Sequence, residues 1–479
     1  MGSIATISNS NFSANVATKN GGAINNNLQV TISSSNFSGN NAQFGGAILN
    51  KDIATISNSN FSTNSASANG GAVNNNGKAT IANSTFSNNS AQLDGGAFYN
   101  NGTTAIANST FSNNSAQING GAILNFIAAT ISNSTFSGNS ASSNGGAINN
   151  NGVVAIASST LSANSAIKDG GAIFSNGKAI INNSTFGSNN AKNNGGAIFT
   201  TLSVTDIDYS TFFGNSSDKG GAIFNSDNAT TNIGNSIVIG NKAVNGNEIF
   251  NRNTLVLTGP NIVGTNGVSG IDGTFTGISP IIPTGGANTV INTTLANNGG
   301  PTKTFALSPR SIAINASNNR ISFDQRGFLS LGIRDIGAFE FTVRDIDLDI
   351  DPNRLARRDE EKPRSLTLSS FSALAFLSID DIEFQRLDRF LIVIVELMNK
   401  DGGDLAIDTK DIWKDADISI FDQSTNQNVI KVAIRRSIGR FIGNEFIDLV
   451  DVNFESKKDK KSILLKVRKS PKPAKFFKD

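Results

Sequence analysis

The sequence predicts an all-β protein built on a parallel β-helix of about ten coils, each 25 residues long. Three observations predict this fold class. A motif recurs at a fixed period over the first half of the 479 residues, which is the signature of a repeat architecture. The repeated unit is poor in helix-favouring residues and rich in Asn, Ser and Gly. Its apolar positions form short β-branched or aromatic patches between polar turns, as short strands do.

A Gly-Gly-Ala tripeptide marks the period. Between residues 21 and 222 it recurs nine times, once after 24 residues and otherwise after 25. A degenerate tenth copy follows at residues 246–249. We expect the glycine pair at a tight corner of each coil, because glycine adopts positive φ and allows backbones to approach closely. Central copies begin at Gly95, Gly120 and Gly145.

Further columns appear when the copies are aligned on the Phe that precedes Gly-Gly-Ala by eight or nine residues. Ile stands five residues before this position, Ser two before it and Asn three after it in ten copies. Stacked coils lie about 4.8 Å apart, so each column is expected to form a ladder. The ladders are represented by Ile81, Ile106, Ile131, Phe86, Phe111, Phe136, Asn89, Asn114 and Asn139.

A single coil is not expected to be stable alone. Fixing one coil costs on the order of 25–50 kcal/mol of backbone entropy. Burying its two or three large side chains returns only about 1.5–3 kcal/mol each. Stability must therefore come from stacking and from hydrogen bonds between coils.

The composition excludes several kinds of chemistry. The chain has no Cys and no His, which excludes disulfides, thiolate metal sites, cysteine nucleophiles and Ser-His-Asp triads. It carries 39 Lys and Arg against 37 Asp and Glu, a net charge of +2, which gives no overall attraction for nucleic acid or a membrane surface. We expect no cofactor, no nucleic-acid partner and, because every apolar run is short, no transmembrane segment.

The combination of motifs resembles a known family. Gly-Gly-Ala-Ile together with Phe-x-x-Asn, as at residues 120–123 and 86–89, is similar to the repeats of the polymorphic outer membrane proteins first recognised in chlamydiae. The resemblance covers residues 1–250. It implies a surface-exposed, right-handed β-helix of the pectin lyase-like type, often an adhesin.

Residues 260–341 lose the 25-residue register but keep a similar composition. Two motifs near the end, Asp-Gln-Arg-Gly and Arg-Asp-Ile-Gly-Ala-Phe-Glu, resemble the end of the choice-of-anchor Q domain, which terminates β-helices in bacterial surface proteins. The resemblance implies a terminal cap. The opposite charges of Asp324, Arg326, Arg334 and Asp335 suit a segment covering the open edge of the last coil, and we prefer this interpretation to a ligand site.

After residue 341 the composition changes abruptly. Residues 342–479 hold 50 of the 76 charged residues, whereas residues 1–259 hold 17. We expect a charged linker at 342–364, a small domain of unknown family at 365–455 that is β-rich or α+β, and a basic tail at 456–479.

Several features within this C-terminal part have two interpretations. Alternating carboxylates at 345–351 suit a hard cation, but a solvated linker is preferred. The tail suits contact with anionic lipid, polysaccharide or nucleic acid, but a disordered solubilising end is preferred. The remaining patches resemble strands at 418–421, 429–434 and 446–452 and a helix at 380–398.

A polysaccharide-active enzyme, lyase or glycosidase, is the first alternative function, because it is a known use of β-helices. Such reactions need clustered carboxylates. Asp94 and Asp169 both precede Gly-Gly-Ala but lie three coils apart, roughly 14 Å along the axis, which is too far for a pair. Asp206 and Asp208 form the only acidic concentration in residues 1–259, and a surface role is preferred for them. We therefore predict no catalytic residue and no metal ligand.

Ice binding is the second alternative. Neighbours of an inward Phe point outward, which gives Thr-x-Ser on four consecutive coils, and regular Thr-x-Thr arrays occur on ice-binding β-helices. The array consists of Thr85, Ser87, Thr110, Ser112, Thr135, Ser137, Thr160 and Ser162. It is short, and the first three coils carry Asn11, Asn36 and Asn60 in place of Thr. An ordinary polar face is preferred.

The sequence therefore predicts a non-enzymatic bacterial surface or secreted protein whose β-helix presents a long face for adhesion or recognition. A surface receptor or glycan is the expected partner, and the expected location is extracellular or outer-membrane associated. The first residues carry no export signal. The first coil begins at Ile7 without a cap, so self-association through that open end is a further expected partner.

Overall fold

The computed structural model describes residues 4–318, 322–330 and 333–341, together with the backbone of three strands between residues 405 and 469. The unit that ends at Glu340 is a parallel β-solenoid of about eleven turns. The predicted all-β, parallel β-helix class is confirmed, with about one turn more than the sequence predicts. We number the coils by the Phe column, from coil 1 at Phe12 to coil 10 at Val238.

The first side of each coil forms the Ile sheet, with twelve parallel strands. Its strands are Ile4–Ser8, Gln29–Ser33, Ile53–Ser57, Lys78–Ala82, Thr103–Ala107, Ala128–Ser132, Val153–Ala157, Lys178–Asn182, Val204–Asp208, Thr230–Gly234, Thr254–Leu257 and Thr276–Gly277. Adjacent strands pair in register, so Ile106 lies between Ile81 and Ile131. The second and fourth residues of the central strands are buried, because side chains alternate across a strand.

The second side forms the Phe sheet, with eleven parallel strands. Its strands are Asn11–Ser13, Asn36–Ser38, Asn60–Ser62, Thr85–Ser87, Thr110–Ser112, Thr135–Ser137, Thr160–Ser162, Thr185–Gly187, Thr211–Phe213, Ile237–Ile239 and Ile262–Val263. Only the middle residue of each central strand points inward, and Phe86, Phe111 and Phe136 pair in register.

The strand after each Gly-Gly-Ala belongs to a third sheet of eleven parallel strands, the corner sheet. Its strands are Ile24–Asn26, Ile48–Asn50, Val73–Asn75, Phe98–Asn100, Ile123–Asn125, Ile148–Asn150, Ile173–Ser175, Ile198–Thr200, Ile223–Asn225, Ile249–Asn251 and Ile271–Asp272. Its first residue joins the same apolar core as the Ile and Phe columns.

A fourth sheet of seven short strands separates the Phe sheet from the Gly-Gly-Ala corner. Its strands are Asn41–Phe44, Ser65–Asn69, Ser90–Ala91, Ser115–Ala116, Ser140–Ala141, Ser165–Ala166 and Asn190–Ala191. The sequence predicts three strands per coil and misses this one, because five of the seven strands have only two residues, too few to show an alternating pattern.

The segment that follows the last coils has little regular structure. It contains one 3-10 turn, Ala287–Thr289. Its apolar side chains Val290, Ile291, Phe305 and Phe339 are buried. Within the described ranges, no helix is long and apolar enough to cross a membrane.

The second unit begins at Phe341, and its described strands form one antiparallel sheet in the order Leu405–Asp408, Lys460–Lys469, Ile447–Lys457. The last of these overlaps the strand predicted at 446–452. Lys460–Lys469 falls in the segment predicted as a disordered tail, so part of that tail is a strand instead. The predicted linker at 342–364, including its acidic stretch, the helix at 380–398 and the strands at 418–421 and 429–434 lie outside the described residues.

Candidate functional site

The Phe ladder is an unbroken aromatic stack over coils 1 to 6. The rings of Phe86 and Phe111 are 4.7 Å apart and nearly parallel, and those of Phe111 and Phe136 are 4.8 Å apart. The coil spacing imposes this face-to-face geometry, since each ring sits at the same place in successive coils. Leu161 interrupts the ladder at coil 7 and is equally buried. The interior of the solenoid behind the Phe sheet is therefore filled with packed side chains.

The predicted Asn ladder lies inside the solenoid, at the turn that follows the Phe sheet. Asn114 donates from Nδ2 to Oδ1 of Asn139 over 2.9 Å and to the carbonyl oxygen of Phe86 over 3.0 Å. Its own Oδ1 accepts from both N and Nδ2 of Asn89. The same pattern links coil 1 to coil 10, from Asn15 onward. A buried polar column is tolerated because its amides find partners in the adjacent coils.

A buried carboxyl group ends this ladder. Asn241, its last member, donates from Nδ2 to Oε2 of Glu248 over 2.6 Å. Glu248 occupies the position that Ala holds in the intact Gly-Gly-Ala copies, and it is 2% exposed. Burial raises its pKa from an ordinary 4.5 to about 8, although the hydrogen bonds from Asn241 act in the opposite direction. The sequence shows Glu248 as a degenerate motif residue and gives no sign of this role.

The glycine corner is a steric requirement. Gly120 has φ +66°, and a Cβ placed on it would lie 2.2 Å from the carbonyl oxygen of Ile123. At the next residue, Gly121, a Cβ would lie 2.1 Å from the carbonyl oxygen of Gly146 on the adjacent coil. Gly95 and Gly145 share the conformation of Gly120. The corner geometry predicted from the motif is therefore present.

A second buried Asn ladder, which the sequence prediction missed, ends the strands of the corner sheet. Asn100 donates from Nδ2 to Oδ1 of Asn125 over 2.8 Å and to the carbonyl oxygens of Gly102 and Ala128. The ladder runs from Asn26 through Asn150 and then meets hydroxyl side chains on coils 7 and 8. The signal was an Asn two residues after the Ile of Gly-Gly-Ala-Ile, hidden among many other asparagines.

The corner sheet also carries an aromatic column on its outer side, which the sequence prediction did not identify. Its rings stack 5.1 Å apart. The members are Phe174, Phe199, Phe224 and Phe250. The guanidinium of Arg252 lies 5.6 Å from the ring of Phe224 and 5.8 Å from that of Phe250. The column therefore presents ring edges and a cation rather than open ring faces.

The carboxylates next to Gly-Gly-Ala are bound within their own column. Asp94 accepts from N and Nδ2 of Asn119 on the next coil, and Asp169 accepts from Nδ2 of Asn194 over 2.7 Å. Burial raises the pKa of both carboxyls, and the Asn hydrogen bonds oppose that effect. The coils of Asn119 and Asn144 lie between them, so the structure does not bring these two acids together.

Asp206 and Asp208 lie two residues apart on one strand of the Ile sheet, and each has its own partners. Asp206 accepts from Asn232 over 2.7 Å and pairs with Lys178 at 3.6 Å. Asp208 accepts from Asn235 and from the backbone of Tyr209, and burial raises its pKa. Among the residues that the structure describes, no group of three or more acidic side chains is placed to hold a metal ion.

The predicted cap residues belong to a segment that packs on the side of the Phe sheet. Asp324 and Arg326 form a fully buried ion pair at 2.7 Å. Arg334 stacks on the ring of Tyr209 at 3.6 Å and donates to Asn183 of coil 8. Asp335 accepts from the backbone of residue 315 over 2.7 Å. We call residues 298–340 the side segment.

The contacts of the side segment correct the prediction that the cap residues cover the edge of the last coil. Gln325 lies between Thr160 and Thr185, and the backbone N–H of Ala338 donates to Thr211. The N–H of Gly337 also donates to the carbonyl oxygen of Asn235 on coil 10, so the side segment covers coils 7 to 10 laterally. The physical reason is that outward hydroxyl groups of the Phe sheet offer it hydrogen-bond partners.

This segment shortens the Thr-x-Ser array considered for ice binding. Thr160 is 1% exposed beneath it, whereas Thr85 is exposed and Thr110 and Thr135 are partly exposed. Three coils of open hydroxyl pairs therefore remain. Ice binding stays a prediction that a thermal hysteresis measurement tests.

One corner of the solenoid exposes apolar side chains. Where neighbouring coils carry Asn-Gly between the corner sheet and the Ile sheet, the chain has Phe126 and Ile127. These side chains are 40% and 50% exposed, and Val153 on the next coil is 45% exposed. The N–H of Val153 donates to the carbonyl oxygen of Ile127 over 2.8 Å, so the three residues form one patch, the apolar corner.

Comparison with protein families agrees with this geometry. The Chlamydia polymorphic membrane protein repeat matches residues 83–101, 108–125, 133–151 and 209–226. Four stretches of the chain are therefore similar to this repeat. Each matched stretch of these repeats begins just before a strand of the Phe sheet and ends just after a strand of the corner sheet or at its last residue. The family resemblance predicted from the motifs is confirmed.

No curated protein and no solved structure matches the chain. The pectin lyase-like class and the choice-of-anchor Q resemblance therefore stay predictions.

Proposed function

We propose that the chain is a non-enzymatic surface protein that displays its polymorphic membrane protein repeats for adhesion or recognition. Its extracellular or outer-membrane-associated location, and its receptor or glycan partner, are part of the same proposal. The repeat family and the β-helix fold support it in general terms. The apolar corner is the single observation that carries it.

The apolar corner differs in sequence from the same turn of the adjacent coils, and packing does not require that difference. Adjacent coils make the same turn with Asn101-Gly102 and Asn151-Gly152, so the turn itself does not need Phe126 or Ile127. Exposing large apolar side chains is unfavourable in water, and contiguous exposed apolar groups mark interaction sites. The ladders occupy the inward-facing positions of the coils. A recognition role is therefore best assigned to outward-facing positions at which one coil differs from its neighbours.

The test restores the turn of the adjacent coils at this corner. Beads coated with the full chain would be applied to cultured cells and to glycan arrays. We expect the double variant Phe126→Asn with Ile127→Gly to bind at least tenfold less than the unmodified chain. Leu202→Asn, at an exposed apolar position of the same corner three coils away, is the control and should bind normally. Equal binding by all three proteins would reject the apolar corner as the contact site.

The enzymatic alternative has its own test. The acids Asp206 and Asp208 are the pair that a polysaccharide-active enzyme would use, and each is held by structural partners. We expect no lyase or hydrolase turnover on a panel of polysaccharides. Robust turnover that Asp208→Asn abolishes would overturn the non-enzymatic proposal.

A further inference from the structure

The outer side of the Phe sheet changes chemistry half-way along the part that the described residues leave uncovered. Coils 1 to 3 present a ladder of carboxamides, in which Asn36 donates to Asn11 and Asn60 donates to Asn36, each over 2.9 Å. Coils 4 to 6 present the hydroxyls of Thr85, Thr110 and Thr135 instead. Strands of adjacent coils pair in register, so both halves share one spacing.

The same chain shows how a carboxamide binds to this Thr column. Gln325 of the side segment donates from Nε2 to Oγ1 of Thr160 over 2.8 Å, and its Oε1 accepts from Thr185 over 2.6 Å. One primary amide thus bridges hydroxyls of two successive coils. Thr110 and Thr135 are the equivalent positions two coils earlier, outside the side segment.

We infer that the uncovered outer side of the Phe sheet binds the same surface of a second copy of this chain. A two-fold axis between coils 3 and 4 places coil 1 against coil 6, coil 2 against coil 5 and coil 3 against coil 4. Each copy then offers three carboxamides to three hydroxyls of the other, as an isologous interface requires. The facing pairs are Asn11 with Thr135, Asn36 with Thr110 and Asn60 with Thr85.

The hydrogen-bonding capacity of both sides suits this pairing. A primary amide has two N–H donors and an oxygen with two lone pairs. The bonds along the carboxamide ladder use one donor of Asn36 and one lone pair of its Oδ1. A second donor and lone pair are left for a Thr hydroxyl, which both donates and accepts.

Charge does not oppose the contact. The six stretches that form this surface contain no Lys, Arg, Asp or Glu: 9–14, 34–39, 58–63, 83–88, 108–113 and 133–138. Two such surfaces therefore meet without like-charge repulsion. Six coils by six residues give roughly 30 Å by 20 Å, or about 600 Å², per copy. This area is below the roughly 800 Å² per partner of a stable complex, so the dimer is weak and depends on concentration.

This self-pairing goes beyond the proposed adhesive function and does not depend on it. It also differs from the end-to-end association through coil 1 that the sequence predicts. End-to-end contact would bring coil 1 of one copy near coil 1 of the other, whereas the two-fold contact brings coil 1 near coil 6. The two arrangements therefore predict different neighbouring residues.

The absence of Cys from the chain allows a direct test of the register. Single variants of the full chain, one of each pair carrying a size tag, would be mixed at high concentration in a glutathione redox buffer. We expect Asn11→Cys with Thr135→Cys, and Asn36→Cys with Thr110→Cys, to form heterodimer disulfides. Asn11→Cys with Thr85→Cys, displaced by two coils, is the control and should form at least tenfold less.

The yields decide the proposal in either direction. Equal yields for the matched and displaced pairs would mean random collision and would overturn it. A predominance of disulfides between two Asn11→Cys chains would overturn it in favour of end-to-end contact.

Sedimentation equilibrium provides a measurement without disulfides. Thr110→Arg should lower the dimer fraction at least tenfold, because it places a cation in the interface of each copy. Thr103→Arg, an exposed position of the same coil on the Ile sheet, should leave dimerisation unchanged. A dimer that survives Thr110→Arg, or a monomer at every concentration, would contradict the two-fold contact.

Discussion

Asn241 donates its side-chain amide to Glu248 over 2.6 Å, and a carboxyl group thereby ends the buried Asn ladder. Every amide of that ladder donates toward the next coil, from Asn15 to Asn215. Amide dipoles aligned in this way leave partial positive charge at the donor end, as in a helix. An acceptor of negative character is the appropriate neighbour there. Burial nevertheless favours the protonated carboxyl, which raises the pKa of Glu248 to about 8.

The first prediction concerns stability against pH. Folded Glu248 keeps its proton up to a pKa of about 8, whereas an exposed Glu loses it near 4.5. Between these values the unfolded state binds fewer protons, so the free energy of unfolding falls as the pH rises. The fall attributable to Glu248 is on the order of a few kcal/mol. Thermal unfolding followed by circular dichroism from pH 4.5 to 8.5 measures it.

Glu248→Gln is the matched variant, because glutamine keeps the acceptor for Asn241 and does not titrate. The difference in Tm between the two proteins should grow steadily in favour of the Gln variant across this pH range. Parallel Tm profiles would show that Glu248 is not the titrating group.

The second prediction tests the Ile ladder. Ile106→Asp places a carboxylate between Ile81 and Ile131 in a core where Ile106 is 1% exposed. We expect a loss on the order of 5 kcal/mol or more, seen in urea unfolding or as failure to fold. Ala105→Asp, on the outer side of the same strand and exposed, should change stability by less than about 0.5 kcal/mol. A similar stability for both variants would reject the ladder arrangement.

The interior of the solenoid could be predicted because periodicity determines it. Residues such as Phe111 and Asn114 recur at one spacing, and parallel stacking turns equal spacing into contact. The Gly120 corner follows from the same logic, since a repeated glycine pair indicates a repeated steric limit. The second Asn ladder was equally periodic, but asparagine is so frequent in the loops that Asn100 and Asn125 did not stand out.

The side segment could not be placed because its contacts are not periodic. Gln325 reaches Thr160 across 165 residues and Arg334 reaches Asn183 across 151. The charged residues of this segment suggested a cap over the edge of the last coil, but no local sequence pattern indicates which surface the segment covers. The role of Glu248 could not be predicted for a similar reason. It depends on the contact with the Asn ladder, and the degenerate motif that contains Glu248 does not indicate that contact.

The third prediction tests the Asn ladder. Asn114→Leu removes two donated bonds, to Asn139 and Phe86, and two accepted bonds from Asn89. The partner groups stay buried, so the loss should reach about 3 kcal/mol or more. Gln117→Leu, at an exposed position three residues later, is the control and should be nearly neutral. Urea unfolding of both proteins gives the comparison, and a loss below about 1 kcal/mol for Asn114→Leu would contradict the ladder's contribution.

The fourth prediction concerns the buried ion pair of the side segment. Arg326→Met leaves the carboxylate of Asp324 buried without its guanidinium, which should cost about 3–5 kcal/mol. Adding Asp324→Asn removes that charge and keeps an Oδ1 acceptor for the backbone N–H groups of Arg326 and Phe328, at the loss of the bond from the N–H of Glu340 to Oδ2. The double variant should therefore be more stable than Arg326→Met alone.

Urea unfolding and the rate of proteolysis within the side segment would measure this coupling. Arg252→Met is the matched control, because Arg252 pairs with Asp227 at 3.5 Å in an exposed position and should contribute less than about 1 kcal/mol. If Arg326→Met is no more damaging than Arg252→Met, the ion pair does not hold the side segment. If it is more damaging and Asp324→Asn restores part of the loss, the cost lies in the unpaired buried charge.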